Sequence, residues 1–200
     1  IAPAGSAYIF VKDRSINSVE KLAGKKIAVF DYDKSQAKMV QKIGAQPVSS
    51  DITNFAAKFN NGAVDVVAAP ALAYKPLEMY KGLGKNGAIV RFPVVQLTFQ
   101  LIINKEKFPA DFGQKSRVYW NAQTPRAMGI VTKAEKDIPA ATWGDLTPEN
   151  MIKYTTMLRD SRIAIAEQGV YDKTGLKIIK RVRCSISAAD SECSLNTESW

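Results

Sequence analysis

Hydrophobic and polar positions change period repeatedly after Lys25, and these changes predict alternating strands and helices. The run KIAVF, residues 26–30, is apolar and partly β-branched, as in a buried strand. The segment at residues 31–44 has helical spacing, with Asp33 or Ser35 as N-cap and Gly44 just beyond its end. AQPVS, residues 45–49, predicts a second short strand, and Pro47 favours either an edge strand or a position at the entry of the strand.

A second helix and a third strand follow at once. DITNFAAKFNNG, residues 51–62, predicts an amphipathic helix that Asp51 caps and Gly62 ends. VDVVAA, residues 64–69, predicts a strand that is buried on both faces. Short connections between such elements predict a parallel sheet with right-handed crossovers. Ligands of open sheets bind beyond the carboxyl ends of the strands, here residues 30–33, 49–51 and 69–74. The apolar stripe of this second helix consists of Ile52, Phe55, Ala56 and Phe59.

The rest of the chain predicts hinge strands, a helical segment and a mixed tail. Residues 87–104 contain two further extended segments, the second with an apolar and a polar face. Residues 111–168 are helical in pattern, with an interruption at 139–148 and Thr147 as a second N-cap before Pro148. We therefore expect a ligand-binding lobe core with hinge strands at 1–104, a helical segment completing the lobes at 105–170, and a C-terminal tail at 171–200. In the second extended segment Val95, Leu97, Phe99 and Leu101 alternate with Gln96, Thr98 and Gln100.

Composition places the chain among ordinary folded proteins. It has 200 residues, of which 46% are hydrophobic and 24% charged, so it can bury a sizeable core. No apolar run reaches the roughly 18 residues of a membrane-spanning helix. The net charge of +9 comes mainly from scattered Lys and Arg, and the one dense cluster, LKIIKRVRC, reads as the solvated face of a strand or helix. Aromatic stacking platforms do not accompany it, so we predict no nucleic-acid partner.

The sequence offers little catalytic chemistry. It contains no histidine, and it lacks the G-x-S-x-G, phosphate-loop and G-x-G-x-x-G motifs. We therefore predict that it is not an enzyme and needs no cofactor. The glycine-rich KGLGKNG predicts a turn. Asp31 and Asp33 form one D-x-D pair, which is a weak signal for a divalent metal site.

Two cysteines lie close together near the C-terminus. Cys184 and Cys193 are nine residues apart, and an even number at short spacing favours a disulfide in an oxidising compartment. The alternative is a pair of free thiols in a cytosolic tail. Zinc is disfavoured because two cysteines without histidines fill only half of a tetrahedral site.

Longer strings in the sequence resemble a known protein family. VEKLAGKKIAVF, followed by VQKIGAQPVSSDITNFAAKFNNGAVDVVAAP, resembles the second-lobe core of TRAP-type (DctP-like) periplasmic solute-binding proteins. AYIFVKDRSINSVEKLAGKKIAVFDYDKSQ, FPADFGQKS and KRVRC resemble a divergent branch that includes the AdeT-type proteins, labelled as efflux components linked to aminoglycoside resistance. The resemblance covers most of residues 7–184.

This resemblance implies an α/β fold of the type 2 periplasmic-binding-protein kind, with a parallel-rich sheet, flanking helices, one complete lobe and part of the other. It implies a periplasmic protein that binds a small solute by hinge closure and serves a membrane transporter. The alternative is an adaptor of a multidrug efflux system with a vestigial cleft. The chain begins at Ile1 without a targeting segment, and the family pattern implies further chain ahead of it. Such a partial molecule would expose apolar surface and form a homodimer.

The chain departs from the family pattern where ligands bind. Four positions where the family has ligand-contacting residues are occupied by different residues in this chain. Ala28 stands in place of the carboxylate-clamping Arg, Ile52 in place of an aromatic residue, Asn54 in place of the helix Glu, and Ala69 in place of an Asn. An organic acid therefore lacks its usual anchor.

Acidic and aromatic residues near the strand ends suggest another ligand. We expect a cationic or amine-bearing solute, held by carboxylates and tyrosine faces. The alternative is that Asp33 and Asp51 only cap helices and that Tyr74 packs in the core. Gln96 and Thr98 either line the inter-lobe cleft or form an exposed strand face. The predicted ligand-binding residues are Asp31, Tyr32, Asp33, Ser50, Asp51, Tyr74, Gln96 and Thr98.

Overall fold

A single mixed sheet organises the chain. The computed structural model describes residues 2–196 and 198, and its six strands have the order β3-β2-β4-β1-β5-β6. Strand β1 is antiparallel to β4 and β5, whereas the β2–β3, β2–β4 and β5–β6 pairs are parallel. Five strands thus point one way and β1 points the other. The strands are β1 (Ala2–Val11), β2 (Lys26–Phe30), β3 (Gln46–Ser50), β4 (Val66–Pro70), β5 (Ala88–Phe99) and β6 (Trp143–Gly144).

Helices cover both faces of this sheet. The amino-terminal half has short helices between strands, and the carboxyl-terminal half is almost entirely helical. The helices are α1 (Lys34–Lys42), α2 (Phe55–Asn60), α3 (Met79–Leu83), α4 (Phe112–Ala122), α5 (Thr124–Lys136), α6 (Pro148–Glu167), α7 (Lys173–Ile186) and α8 (Ser191–Ser194).

The predicted β2-α1-β3-α2-β4 unit is confirmed. Its three strands are parallel, and β3, which contains Pro47, is the edge strand that the missing proline N–H favours. Asp33 is the N-cap of α1, as predicted. Gly44 and Gly62 follow their helices with φ of +74° and +78°, a conformation that side chains other than glycine rarely adopt.

Several local predictions were wrong. Ile52 lies in a turn before α2, and its side chain is 65% exposed instead of joining the apolar stripe. The two extended segments predicted in residues 87–104 are one strand, β5, which ends at Phe99, before Leu101. The tail after Gly169 contains the regular helix α7, because the aliphatic and basic residues of LKIIKRVRC have helical spacing.

Two apolar layers form the core. On one face of the sheet, Phe10 packs with Phe59 and Met79 of α2 and α3. On the other face, Val40 of α1 and Tyr154 of α6 pack against β2 and β5. The cap predicted for α6 is present, since Thr147 accepts a hydrogen bond from the Asn150 N–H at 3.2 Å.

A disulfide closes the C-terminal region. Cys184 in α7 is bonded to Cys193 in α8, with the two Cα atoms 5.7 Å apart, which confirms the predicted pairing. Within residues 2–196 and 198, none of the helices has both the length and the hydropathy that crossing a bilayer would demand.

Candidate functional site

The carboxyl ends of neighbouring parallel strands meet at one edge of the sheet, which we call the rim: residues 30–33, 50–51 and 70–74. The register pairs Phe30 with Ser50, so β2 and β3 end side by side. The Asp31 N–H donates to the Ser50 carbonyl at 3.0 Å and extends this pairing past the strands. Edges of this kind are where open α/β sheets bind ligands.

Asp31 and Tyr32 form the exposed part of the rim. The Tyr32 side chain is 69% exposed, yet its ring stacks on Phe30 with centroids 5.3 Å apart. Phe30 in turn makes an edge contact with Phe55 of α2. This chain of rings fixes the Tyr32 side chain, and the exposed Asp31 precedes it in sequence. Aromatic faces and carboxylates both attract cations.

Asp33 and Asp51 have structural roles at the rim. Asp33 Oδ1 accepts the N–H groups of Ser35 and Gln36 at 3.0 and 2.9 Å, which caps α1. Asp51 Oδ1 accepts the N–H groups of Thr53 and Asn54 in the turn before α2. The N-cap of α2 is Asn54, so the prediction that Asp51 caps this helix was wrong, because the helix begins four residues further on, at Phe55. The hydroxyl of Thr53, with its backbone N–H, lowers the pKa of Asp51 below its ordinary value, so this carboxylate is charged at neutral pH.

Ser50 and Tyr74 are less accessible than the other predicted ligand residues. Ser50 is 1% exposed and its hydroxyl donates to the Val48 carbonyl at 3.1 Å. Tyr74 is 7% exposed and its ring makes an edge contact with Tyr80. Both lie near the rim in the chain, but their side chains face the protein interior.

Gln96 and Thr98 lie beyond the rim on a two-stranded ribbon formed by residues 2–6 and 96–99. Ala7 is paired with both Pro70 at the end of β4 and Val95 in β5, so the ribbon begins where the rest of the sheet stops. Both side chains are exposed, and Gln96 Nε2 donates to Ser6 Oγ at 2.8 Å. The ribbon therefore forms a wall next to the strand ends.

A cavity of about 290 Å³ adjoins Asp33. It lies between the start of α1, the middle of β5 and the helix α6, and Arg162 contributes the guanidinium in its wall. Sequence reasoning missed Arg162, because a single arginine within a long helix carries no local signal. A larger groove of about 440 Å³ behind it, between α1 and α6, contains none of the predicted ligand residues. The cavity is lined mainly by Asp33, Gln36, Val94, Val95, Leu158 and Arg162.

The positions that depart from the TRAP pattern differ in exposure. Ala28 and Ala69 are 3% and 1% exposed within their strands, so neither offers a polar group to a ligand. Asn54 donates through Nδ2 to Asp51 Oδ2 at 2.6 Å, so its side chain is engaged within the turn before α2. In the described part of the chain, acidic and sulfur ligands nowhere form a group of three that could hold a metal ion.

The sequence of this chain is similar to that of a known protein family. The model of the family described as solute-binding protein AdeT 1/2 matches residues 1–198. The chain belongs to this family. It is 50% identical to the probable solute-binding protein AdeT1 of Acinetobacter baumannii over 97% of this chain and 64% of that protein. It is 28% identical to AdeT2 of the same organism over 97% of this chain and 82% of that protein.

Solved structures show the same fold. A TRAP periplasmic solute-binding protein from Desulfovibrio salexigens with bound orotic acid has a TM-score of 0.72 at 16% identity, over 89% of this chain and 58% of that one. The periplasmic ectoine-binding protein of Halomonas elongata has a TM-score of 0.62 at 14% identity, over 83% and 56%. The AdeT-family chain therefore spans somewhat under two thirds of the length of AdeT1 and of these binding proteins. The α/β solute-binding fold is confirmed.

Proposed function

We propose that this AdeT-family chain supplies the main lobe of a periplasmic solute-binding protein and that its rim binds a small cationic or amine-bearing solute. The observation that carries the proposal is the rim itself. Adjacent parallel strands end together, and an exposed carboxylate and an exposed, stacked tyrosine stand there beside a polar ribbon.

The choice of a cation rests on charge and geometry. Asp31 and Tyr32 are exposed, and Asp51 is held in its charged form by the Thr53 hydroxyl. A protonated amine over the Tyr32 ring would gain about 0.5–1 kcal/mol beyond its attraction to the carboxylates. At Ala28, where the resemblance implies a guanidinium, the side chain is a buried methyl group.

Closure of a second lobe against the rim is the mechanism that fits this arrangement. Gln96 and Thr98 would then contact the solute from the ribbon, where the strands pass from one lobe toward the other. Such a module performs binding without turnover, and we expect a membrane transporter as its partner.

A homodimer also stays a prediction, supported by the 66% and 86% exposure of the apolar side chains of Phe99 and Ile102.

Isothermal titration of the full-length protein tests the solute class. We expect spermidine or kanamycin to bind, and malonate to bind much more weakly. Asp31→Asn should weaken amine binding about fivefold or more, equivalent to about 1 kcal/mol. The matched control is Asp111→Asn, which removes an exposed carboxylate at the start of α4, where Asp111 pairs with its helix neighbour Lys115 at 2.6 Å.

Each contrary result has a clear meaning. Binding of malonate alone would exclude the cation proposal, and equal losses in Asp31→Asn and Asp111→Asn would show that only net charge matters. If none of these solutes binds and the protein copurifies with an inner-membrane pump, the adaptor of an efflux system replaces the solute-binding proposal.

A further inference from the structure

Two arginines and two glutamates form a compact cluster where the C-terminal segment returns to the body of the protein. Arg162 belongs to α6 and Arg183 to α7, while Glu192 and Glu198 follow from α8 and the segment after it. The side chains of Glu192 and Glu198 are 7% and 2% exposed, and those of the arginines are 24% and 27% exposed. Their charges balance, which is what burial of carboxylates requires.

Glu198 is held from both sides. Its Oε1 accepts from Arg162 Nε at 2.5 Å, and its Oε2 lies 2.9 Å from a terminal nitrogen of Arg183. Lys180 Nζ donates to the backbone carbonyls of Glu198 and Leu195, both at 3.1 Å. A carboxylate bridged by two guanidiniums is the geometry with which arginines recognise an anionic ligand.

The cluster retains donor capacity beyond these contacts. Arg183 Nε is buried, and within residues 2–196 and 198 no acceptor lies within hydrogen-bond reach of it. Glu192 is a looser partner, because its Oε2 lies 3.4 Å from Arg162 and 3.3 Å from Arg183. Glu198 is therefore the principal anion of the cluster, and it leaves one buried donor unused.

Arg162 also faces the cavity of about 290 Å³ beside α1 and β5. The same guanidinium thus borders an open space on one side and is neutralised by the protein's own carboxylate on the other. The disulfide between Cys184 and Cys193 anchors the segment that carries Glu198 close to Arg183.

We propose that Arg162 and Arg183 form an anion-binding site, separated from Asp31 and Tyr32 but bordering the same cavity as Asp33, that the C-terminal segment keeps closed. Glu198 is the resident ligand of this site. A free carboxylate-bearing molecule in the cavity competes with Glu198 for the Arg162 guanidinium, so the segment acts as an internal ligand. The inference does not depend on the amine proposal for the rim, and Asp31→Asn should leave it unchanged.

The disulfide sets how strongly the segment competes. It shortens the chain that tethers Glu198 from about twelve residues, counted from the end of α7, to about five, counted from Cys193, and effective concentration falls roughly as the −3/2 power of tether length. Breaking the bond should therefore lower the competition about fourfold. Cys184→Ser/Cys193→Ser removes it without adding charge.

Titration of the full-length protein with glutarate tests the proposal, since one end of glutarate matches the glutamate side chain. Glu198→Gln keeps the size of the side chain and removes its charge, so we expect it to bind glutarate at least tenfold more tightly than the wild type does. Cys184→Ser/Cys193→Ser should bind about fourfold more tightly. Arg162→Gln/Glu198→Gln removes both charges of the pair, keeps the cluster balanced, and should abolish the gain.

The matched control is Glu106→Gln, which removes an exposed carboxylate far along the chain from the cluster and should bind glutarate as the wild type does. Circular dichroism melts establish that every variant is folded. The proposal is overturned if Glu198→Gln binds glutarate no more tightly than the wild type, or if Arg162→Gln/Glu198→Gln keeps the gain.

Discussion

Among single residues, Asp33 combines an observed structural role with a proposed binding role. Asp33 caps α1 through one carboxylate oxygen and borders the cavity. An N-cap needs only an oxygen acceptor, and asparagine supplies one as well as aspartate does. Binding of an amine needs the negative charge. The two roles of Asp33 therefore respond differently to substitution.

Asp33→Ala should lower the free energy of unfolding by about 1 kcal/mol, whereas Asp33→Asn should change it by only a few tenths. If Asp33 also attracts the solute, both variants lose amine affinity. Urea unfolding and isothermal titration measure the two effects separately. Thr147→Ala is the control, because it removes the α6 cap, with the same loss of stability, and should leave affinity unchanged. If Asp33→Asn keeps the full amine affinity, Asp33 serves only as the N-cap of α1 and does not bind the solute.

The sequence pattern predicted local contacts such as helix caps, but it did not predict side-chain pairs between distant parts of the chain. Asp33, Thr147 and the disulfide cysteines could be predicted because their partners lie within a few residues along the sequence. Arg162 and Glu198 could not, since they are 36 residues apart and meet only after α6 and α7 have packed. Sequence reasoning also assigned Lys180 and Arg183 to a solvated face, whereas both bind the C-terminal segment.

At the scale of elements, close contact between α2 and α3 depends on one glycine. A Cβ atom on Gly82 would lie 2.6 Å from Phe59 Cε1 and 2.9 Å from Asn60 Oδ1. Lys12 fixes the same junction, because its ammonium donates to the carbonyls of Phe59 and Gly82, both at 2.9 Å. Neither helix has room to withdraw without breaking these bonds.

Gly82→Ala should therefore lower the free energy of unfolding by about 1–3 kcal/mol, the usual effect of overpacking. Gly129→Ala is the matched control within another helix, α5, where the added Cβ meets nothing within 4 Å. This control should gain about 0.5–1 kcal/mol, because alanine favours the helix over glycine. Chemical unfolding measures both changes, and equal effects of the two substitutions would contradict the contact.

The attachment of the C-terminal segment should depend on pH. Burial raises the pKa of Glu198, but the guanidiniums of Arg162 and Arg183 outweigh burial and hold that pKa below the ordinary value of 4.5. A carboxylate with a lowered folded pKa stabilises the protein fully above its unfolded value. That contribution is lost as the pH falls through the folded pKa.

The wild type should consequently exceed Glu198→Gln in stability by about 1–3 kcal/mol at pH 7. The difference should be unchanged down to about pH 5 and disappear as the pH falls well below 4.5. Unfolding of both proteins across this range measures it. A difference that persists at the acidic end would show that the charge of Glu198 does not hold the segment.

At the scale of the whole molecule, the sequence predicted the parallel unit well and the long strand poorly. The hydrophobic period, the glycines and the edge proline were enough to predict the parallel strands β2, β3 and β4 and the helices between them. The position of the antiparallel strand β1 between β4 and β5 could not be predicted, because its partners lie 55 to 97 residues away along the chain and such distant pairing leaves no periodic trace. The order of the sheet thus had to come from the structure.

The same limits apply to the binding site. The rim could be located, since it depends only on where parallel strands end. The inward orientation of Ser50 could not be read from the sequence, because it depends on packing against neighbouring turns, and for Tyr74 the sequence left a core position and a ligand-binding position as alternatives. The ribbon keeps Phe99 66% exposed, and this is the wall against which we propose that a second lobe closes.

We propose that the carboxyl ends of β2 and β3, together with the ribbon, hold the solute. Two-dimensional amide NMR of the full-length protein during titration with spermidine tests this proposal residue by residue. We expect saturable shifts concentrated at residues 31–33, 50–51 and 96–98, with residues 173–186 of α7 unchanged. Shifts spread over acidic residues throughout the surface, or confined to regions away from the rim, would contradict it.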